Sequence, residues 1–158
     1  MTRFEIRSEQ EMEAFGGAIA IAAREDIRIY LSGGLAAGKT TFARGFVRAR
    51  GHDGAVKSPT FTLVESYELG ARYVHHFDLY RLADEEELDY IGIDEYFDAG
   101  TDCLVEWPER AGGTLTTPDL EICFEVIGKT RRLQIKGYGL MAEKLLEMLK
   151  DKFSNSMG

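Results

Sequence analysis

The segment from Gly33 to Thr40, which we call the phosphate loop, has the residue types and spacing of a nucleotide-binding motif. Its sequence Gly-Gly-Leu-Ala-Ala-Gly-Lys-Thr satisfies G-x-x-x-x-G-K-[ST] without a mismatch. Glycines let backbone amides converge on phosphate oxygens, Lys39 can reach the β- and γ-phosphates, and the Thr40 hydroxyl can bind Mg²⁺. The pattern therefore predicts a phosphate site rather than a tight structural turn.

Elements of the required type flank the phosphate loop. Apolar residues alternate with Arg28 and Tyr30 from Ile27 to Leu31, which predicts a strand. Apolar residues recur at helical spacing over 42–47, which predicts a helix. A strand, a glycine loop and a helix in this order form the context in which the motif binds nucleotides.

Two carboxylates follow predicted strands further along the chain. Asp78 comes directly after the segment 73–77, and Glu106 comes after the apolar residues 103–105. A phosphate loop of this kind works with a carboxylate near Mg²⁺, which holds a metal-bound water or orients the nucleophile. Each residue also fits a plain helix cap or surface carboxylate. The sequence leaves open which of the two orients a water.

The absence of a guanine-reading motif narrows the choice of nucleotide base. Guanine-specific proteins with this loop read the base through Asn-Lys-x-Asp, and the only asparagine in the chain is Asn155. A Ras-like GTPase is therefore excluded. ATP, bound with Mg²⁺, is the expected ligand.

Further helices and strands are predicted in the rest of the chain. Ser8 and Glu11 have the spacing of a capping box, which begins a helix. The predicted elements are helices over 9–24 and 140–153, helical turns over 83–98, a short buried strand over 102–106, and hairpins around Gly70 and Gly128.

Length and charge limit the class of protein. The chain has 158 residues with 27 acidic and 19 basic side chains, a net charge of −8, and we expect one domain over 1–158 with a frayed tail from about 154. The excess of acidic side chains argues against direct binding to nucleic acid, because such binding depends on many closely spaced Lys and Arg residues. No apolar run approaches the roughly 20 residues that span a bilayer, so we expect a cytoplasmic protein. Cys103 and Cys123 lie in short apolar runs and are expected to be reduced core residues.

Four motifs occur in an order that goes beyond a generic phosphate loop. They are the loop with Thr41, then Ser58-Pro59-Thr60-Phe61-Thr62-Leu63, then His76-x-Asp78-Leu79-Tyr80-Arg81-Leu82, then Glu106-Trp107. Over about Phe4 to Glu125 the chain closely resembles the TsaE (YjeE) family of small bacterial ATPases, which support threonylcarbamoyladenosine modification of tRNA.

The resemblance implies an α/β fold, a P-loop NTPase-like three-layer sandwich with a mixed, partly antiparallel sheet. It also implies binding of ATP and Mg²⁺, weak ATP hydrolysis that partners stimulate, and action on the TsaB–TsaD complex, in which TsaD transfers the threonylcarbamoyl group. Contact with tRNA would be indirect, through that complex. Alone, the chain would be a monomer or a weak oligomer.

Site roles carried over from the family are assigned residue by residue. Lys39, Asp78 and Glu106 are expected to be catalytic, and Thr40, Glu106 and Asp78 to serve the metal. The expected nucleotide-binding residues are Ser8 on the adenine side, Gly33, Leu35, Ala36, Ala37, Gly38, Lys39, Thr40, Thr41, and Arg131 or Arg132 near the phosphates.

Three further positions are expected to be functional. His76 would orient Asp78, while His75 would be structural because neighbouring residues on a strand face opposite ways. Trp107 would shield the γ-phosphate or pack in the core. Thr60 lies in a segment that would respond to the γ-phosphate as a switch does, or that forms a β-turn at Pro59.

Two loop residues depart from the family pattern. Many relatives have an acidic residue at the position of Gly34 and glycine at that of Ala36. Alanine suits position 36 if its φ is negative, because a left-handed backbone there favours glycine.

Two matters stay open on sequence alone. Arg44, Arg48 and Arg50 form one basic cluster, which is either a solvated face or a contact for a partner or tRNA. A small-molecule kinase of the shikimate-kinase type and a non-hydrolytic nucleotide-sensing scaffold are the alternatives to the ATPase. The kinase would need an arginine-bearing lid and a basic acceptor pocket, for which the loop at Gly112 is a weak candidate.

Overall fold

A computed structural model describes residues 1–24, 26–59 and 61–153. The helices are α1 (Glu9–Ala23), α2 (Lys39–Ala49), α3 (Glu86–Tyr90) and α4 (Leu140–Lys152). The strands are β1 (Thr2–Ile6), β2 (Arg28–Gly33), β3 (Val64–Leu69), β4 (Arg72–Asp78), β5 (Thr101–Glu106), β6 (Leu120–Ile127) and β7 (Thr130–Gly137). None of the helices in these ranges is long and apolar enough to cross a membrane.

The strands form one mixed sheet in the order β1-β7-β6-β2-β5-β4-β3. Strand β2 lies between β6 and β5 and is parallel to both, and β4 is parallel to β5. The pairs β1–β7, β6–β7 and β3–β4 are antiparallel. The carboxyl ends of β2, β5 and β4 therefore meet at one edge of the sheet, where α/β proteins bind ligands.

Helical segments cover both faces of the sheet. Helices α1, α2 and α4 bury their apolar residues against one face in the larger core cluster. The other face is covered by α3 and by short 3₁₀ turns at Ile93–Phe97 and Pro108–Ala111, which enclose a smaller cluster around Phe77 and Val105. The predicted α/β three-layer sandwich with a mixed, partly antiparallel sheet is confirmed.

Helix α1 begins and packs as its sequence dictates. The Ser8 hydroxyl accepts a hydrogen bond from the Glu11 amide at 3.0 Å, and the Glu11 carboxylate accepts one from the Arg7 amide at 2.7 Å. Close approach of α2 to α1 requires Gly45, because a Cβ there would overlap the carbonyl oxygen of Glu13. This contact fixes α2, whose first residues belong to the phosphate loop.

Two sequence expectations need correction. Strand β3 begins at Val64 rather than near Phe61, because Leu63 has φ of +68°, which interrupts an extended backbone. Cys103 is buried as expected, but Cys123 is exposed. Along β6 the buried residues are Leu120, Ile122 and Phe124, and the two-residue period of a strand turns Cys123 to the other face.

Candidate functional site

The phosphate loop connects the end of β2 to the start of α2. Gly38 precedes the helix with φ of +108°, a backbone conformation that favours glycine. A Cβ there would lie 2.8 Å from Met12 Cε, and a small movement of that flexible side chain would relieve the contact. The first-turn amides of a helix have no partner within the helix. Those of Lys39, Thr40 and Thr41 are therefore available to an anion, which the positive end of the helix dipole also favours.

Ala36 lies at the tip of the loop with φ of +59°. The sequence analysis required a negative φ for an unstrained alanine at this position, and the observed φ is positive. A left-handed conformation costs a residue with a Cβ roughly 1–2 kcal/mol. The loop therefore holds Ala36 in a strained backbone state.

Lys39 is the most constrained cation of the site. Its side chain is almost fully buried, its Nζ donates a hydrogen bond to the Gly33 carbonyl oxygen at 2.7 Å, and the same atom lies 3.7 Å from the centre of the Trp107 ring. Burial lowers the pKa of Lys39 below its usual value, and the charges of Glu106 and Asp78 counteract part of that shift. An anionic ligand would favour the charged form of this amine.

Asp78 and Glu106 are register partners at the carboxyl ends of β4 and β5. The Glu106 Oε2 atom accepts a hydrogen bond from the Thr40 hydroxyl at 3.3 Å. Asp78 accepts hydrogen bonds from the Ser58 hydroxyl at 3.1 Å and the Tyr80 amide at 3.0 Å. The structure thus brings both predicted carboxylates beside the phosphate loop, because β5 pairs directly with β2 and β4 with β5.

The donor set suits a hard divalent cation. The Thr40 hydroxyl and the Glu106 carboxylate oxygen lie 3.3 Å apart, and Mg²⁺ prefers such oxygen ligands together with phosphate oxygens and waters. Within the described ranges no group of three or more His, Cys, Asp or Glu side chains forms a metal cage. A cation here would therefore rely on the nucleotide for part of its coordination, as it does in other phosphate-loop proteins.

His76 binds a different carboxylate from the expected one. Its Nε2 atom lies 2.6 Å from Glu106 Oε2, and its Nδ1 atom has no partner among the described residues. The expectation that His76 orients Asp78 is therefore wrong, because β5 places Glu106 within reach of Nε2. His75 contacts Ser66 and packs against Tyr96, a structural position as predicted.

A cavity of about 480 Å³ opens over the phosphate loop, which is within the usual range of small-ligand sites. The predicted residues that line it are Ser8, Leu35, Ala36, Ala37, Gly38, Lys39, Thr40, Thr41, Asp78, Glu106, Trp107 and Arg131. Gly33 and His76 do not line the cavity, but each forms a hydrogen bond to a lining residue, Gly33 to Lys39 and His76 to Glu106. The predicted switch residue, Thr60, and the predicted frayed tail, 154–158, lie outside the described residues.

Arg132 does not reach the cavity. It lies within 3.6 Å of a Glu5 carboxylate oxygen and 3.9 Å of a Glu125 oxygen, whereas Arg131 lines the cavity. Neighbouring residues of β7 face opposite sides of the sheet. Only one member of the predicted pair can therefore approach a ligand.

The sequence reasoning missed several lining residues. They are Ile6, Glu9, Met12, Ser58, Tyr80, Arg81 and Lys129. For Ser58, Tyr80 and Arg81 a signal existed, because they belong to two of the four motifs quoted in the sequence analysis. For Ile6 and Met12 no local signal existed, since their approach depends on the packing of β1 and α1 against the loop.

The basic cluster on α2 is held in ion pairs within the protein. Arg44 and Arg48 lie 3.9 Å and 2.6 Å from carboxylate oxygens of Glu13, and Arg50 Nε lies 2.8 Å from the buried carboxylate of Asp102. Arg50 is therefore a structural cation, neither solvated nor available to a partner.

Comparisons with known proteins agree on one family. The family model described as threonylcarbamoyl adenosine biosynthesis protein TsaE matches residues 6–133. The tRNA threonylcarbamoyladenosine biosynthesis protein TsaE of Haemophilus influenzae is 46% identical over 109 residues, which cover 69% of each chain. The Bacillus subtilis protein of the same name is 36% identical over 149 residues, covering 92% of this chain and 93% of that one.

The fold gives the same result. The crystal structure of Bacillus subtilis YdiB matches with a TM-score of 0.77 and 29% identity, covering 96% of this chain and 95% of that one. The chain belongs to the TsaE family and is involved in tRNA threonylcarbamoyladenosine biosynthesis.

Proposed function

We propose that this protein binds ATP and Mg²⁺ in the cavity over the phosphate loop and hydrolyses ATP as an accessory subunit that acts on the TsaB–TsaD complex. The observation that carries the proposal is the convergence of three groups. Lys39 and Thr40 from the phosphate loop meet Glu106 from β5, with Thr40 and Glu106 in hydrogen-bond contact at 3.3 Å.

The charge of the cavity supports a polyphosphate ligand. Four cationic and three anionic side chains line it: Lys39, Arg81, Lys129 and Arg131 against Glu9, Asp78 and Glu106. The balance of one positive charge stands out in a chain whose net charge is −8. Such a local excess attracts a negatively charged ligand to the cavity of an otherwise acidic protein.

The sheet order supports one orientation of the nucleotide. Asp78 and Glu106 lie on the β5–β4 side of the phosphate loop, whereas Arg131 lies on the β6–β7 side. In this proposal the γ-phosphate and the metal lie at the β5–β4 side. The nucleoside lies towards β1 and β7, where Ile6 and Met12 supply apolar surface for a base.

Catalysis in this proposal is mainly positional and electrostatic, as in other phosphoryl-transfer proteins. Bound Mg²⁺ would neutralise charge on the β- and γ-phosphates. Thr40 and Glu106 hold the metal side, Lys39 leaves the Gly33 carbonyl to bind phosphate, and Trp107 covers the amine from water. Asp78, with the Ser58 hydroxyl beside it, orients the attacking water.

Family membership supports partners from the tRNA modification pathway. We assign TsaB and TsaD to that role. The hydrolysis cycle would then reset the complex between turnovers, with slow turnover by the chain alone. The acidic net charge favours contact with tRNA through the complex rather than directly.

The test is ATP hydrolysis by the purified chain with and without TsaB, TsaD and tRNA, with Lys39→Ala as the background control. Strong stimulation by the partners is the expected result. ATP binding without stimulation would contradict the accessory role and would lead to a screen for phosphate acceptors, as the kinase alternative requires. Binding without any hydrolysis would favour the nucleotide-sensing scaffold.

Separate variants divide the roles of the two carboxylates. Asp78→Asn is expected to keep ATP binding and lose hydrolysis, because it removes the acceptor that orients water. Glu106→Gln is expected to weaken the dependence of binding on Mg²⁺ as well. Unchanged hydrolysis in both variants would contradict the site assignment.

A further inference from the structure

Arg81 occupies a position in the cavity to which the sequence motifs gave no role. It follows Asp78 by three residues and lines the same cavity. Its guanidinium carbon lies 4.4 Å from the centre of the Phe61 ring. Among the described parts of the chain, no carboxylate forms an ion pair with it.

The sheet order separates Arg81 from the other arginine of the cavity. Arg131 is on β7, two strands beyond β2 on one side, while Arg81 follows the end of β4, two strands beyond β2 on the other. Arg81 therefore shares the side of Asp78 and Glu106. Within the described ranges it is the one arginine that lines this side of the cavity.

Hydrolysis places a specific demand on this side. The water oxygen forms a bond to the γ-phosphorus, the bond to the β–γ bridging oxygen breaks, and its electron pair leaves with ADP, while the water proton passes to phosphate or solvent. Charge is spread over the γ-phosphate oxygens in the transition state, and an arginine supplied in cis or in trans can stabilise it. The planar guanidinium can donate two parallel hydrogen bonds to such oxygens.

We propose that Arg81 is a catalytic residue of this chain, which contacts the γ-phosphate in the transition state and rests against Phe61 between turnovers. The inference rests on the proposed ATPase function. Lys39 does not replace it, because Lys39 binds phosphate from the phosphate loop at the end of β2, whereas Arg81 approaches the γ-phosphate from beyond the end of β4. The cation is thus supplied in cis.

The contact with Phe61 would lower the rate of hydrolysis by the free chain about two- to fivefold, because the ring competes with the phosphate for Arg81. The Phe61 ring is 83% exposed, and a stacking contact at such an exposed site is weak. A partner that covers Phe61 would remove the resting position of Arg81. The side chain would then be free to turn to the phosphate.

The first experiment compares Arg81→Met with the wild type, using the ATP dissociation constant and kcat in the presence of TsaB and TsaD. We expect kcat to fall by roughly a thousandfold or more, as for other catalytic arginines, while the dissociation constant changes far less. Arg81→Lys keeps the charge without the planar fork and should restore part of kcat. A purely structural role would not separate kcat from binding in this way.

Arg110→Met is the matched control. Arg110 is another arginine that lies near aromatic rings, 5.8 Å from Trp107 and 5.5 Å from Tyr80, but it does not line the cavity. An equal fall of kcat in both variants, or an unchanged kcat in Arg81→Met, would overturn the inference while the ATPase function stands. A wild-type chain that binds ATP without hydrolysing it would overturn the proposed function and, with it, the role of Arg81.

The resting position has its own test. Phe61→Leu removes the aromatic face and keeps an apolar side chain, so we expect faster hydrolysis by the chain without partners. Combining it with Arg81→Met should abolish the gain. A basal rate equal to that of the wild type would overturn the resting-position part of the proposal.

Discussion

The Nε2 atom of His76 lies 2.6 Å from the Oε2 atom of Glu106, and both side chains are buried. A carboxylate accepts hydrogen bonds, so Nε2 carries the hydrogen and the tautomer of His76 is fixed. The same Oε2 atom also accepts from the Thr40 hydroxyl. Two donors therefore hold one oxygen of Glu106 and fix the direction of the other.

Loss of this donor should reduce the rate more than the affinity. His76→Leu removes a hydrogen bond to a charged group, worth about 1.5–3 kcal/mol, so we expect kcat for ATP hydrolysis to fall roughly tenfold to a hundredfold. The measurement is kcat and the ATP dissociation constant for each variant, together with its unfolding midpoint.

His76→Gln is the control for this prediction. A glutamine side chain offers an amide donor near the position of Nε2 and should restore a large part of kcat. Equal losses in His76→Leu and His76→Gln would show that the imidazole acts through packing rather than through the hydrogen bond to Glu106.

Lys39 links nucleotide affinity to a pH dependence of stability. Lys39→Met removes a charge-assisted phosphate contact, so we expect the ATP dissociation constant to rise roughly tenfold to a hundredfold.

Burial lowers the native pKa of Lys39 below its ordinary value of 10.5, so the unfolded chain holds this proton more tightly. The free energy of unfolding of the wild type should therefore rise, relative to Lys39→Met, as pH increases towards 10.5.

Urea unfolding without nucleotide, at neutral and at alkaline pH, measures this second effect. Lys152→Met is the control, because Lys152 is exposed at the end of α4. A stability difference between wild type and Lys39→Met that stays constant or falls as pH increases would contradict the burial of a charged amine at this position.

Local patterns were sufficient to predict the parts of the site that lie within one segment. The phosphate loop, its flanking strand and helix, and the hairpin around Gly128 all follow from residue spacing, because glycine geometry and strand alternation are set by neighbours in sequence. Asp78 and Glu106 were predicted for the same reason, since each follows an apolar strand.

Contacts between strands could not be predicted in this way. The partner of His76 depends on β5 lying beside β4, a long-range pairing that no local pattern encodes. The difference between Arg131 and Arg132 and the exposure of Cys123 depend on the phase of a strand relative to the core. A shift by one residue reverses such an assignment, so even a correctly placed hairpin left these residues open.

The strained backbone at Ala36 predicts a stabilising substitution. Its φ of +59° is tolerated by glycine without a steric cost, so we expect Ala36→Gly to raise the free energy of unfolding by about 1 kcal/mol. Ala22→Gly, within α1, is the opposite control and should lower it by about 0.5–1 kcal/mol. Urea unfolding measures both, and destabilisation by Ala36→Gly would contradict the left-handed conformation.

The two cysteines should differ in reactivity. Burial raises the pKa of the Cys103 thiol to about 12, and its sulfur donates a hydrogen bond to the Tyr96 carbonyl oxygen, whereas Cys123 is exposed. Because the thiolate is the reactive form, iodoacetamide at neutral pH should alkylate Cys123 in the native protein and leave Cys103 unmodified until urea unfolds the chain. Mass spectrometry of the peptides distinguishes the two, and equal labelling of the native protein would contradict the exposed face of β6.

Asp102 should be a strong determinant of stability that leaves nucleotide binding intact. It is fully buried, accepts a hydrogen bond from the Ile27 amide at 2.9 Å, and forms ion pairs with Arg50 at 2.8 Å and Arg72 at 3.4 Å. Asp102→Ala would leave Arg50 unpaired in a largely buried position, so we expect a loss of about 3–5 kcal/mol in the free energy of unfolding.

The control compares this buried pair with a more exposed one nearby, between α1 and α2. Arg48 lies 2.6 Å from Glu13 at the surface, and Glu13→Ala should cost only about 0–1 kcal/mol. Asp102 and Glu106 stand on the same strand, but Asp102 lies near its amino end and Glu106 at its carboxyl end, so the folded fraction of Asp102→Ala should bind ATP with wild-type affinity. In this interpretation Asp102, near the amino end of β5, stabilises the fold, and Glu106, at the carboxyl end, serves the site. Equal losses of stability in the two variants, or a large loss of ATP affinity in Asp102→Ala, would contradict it.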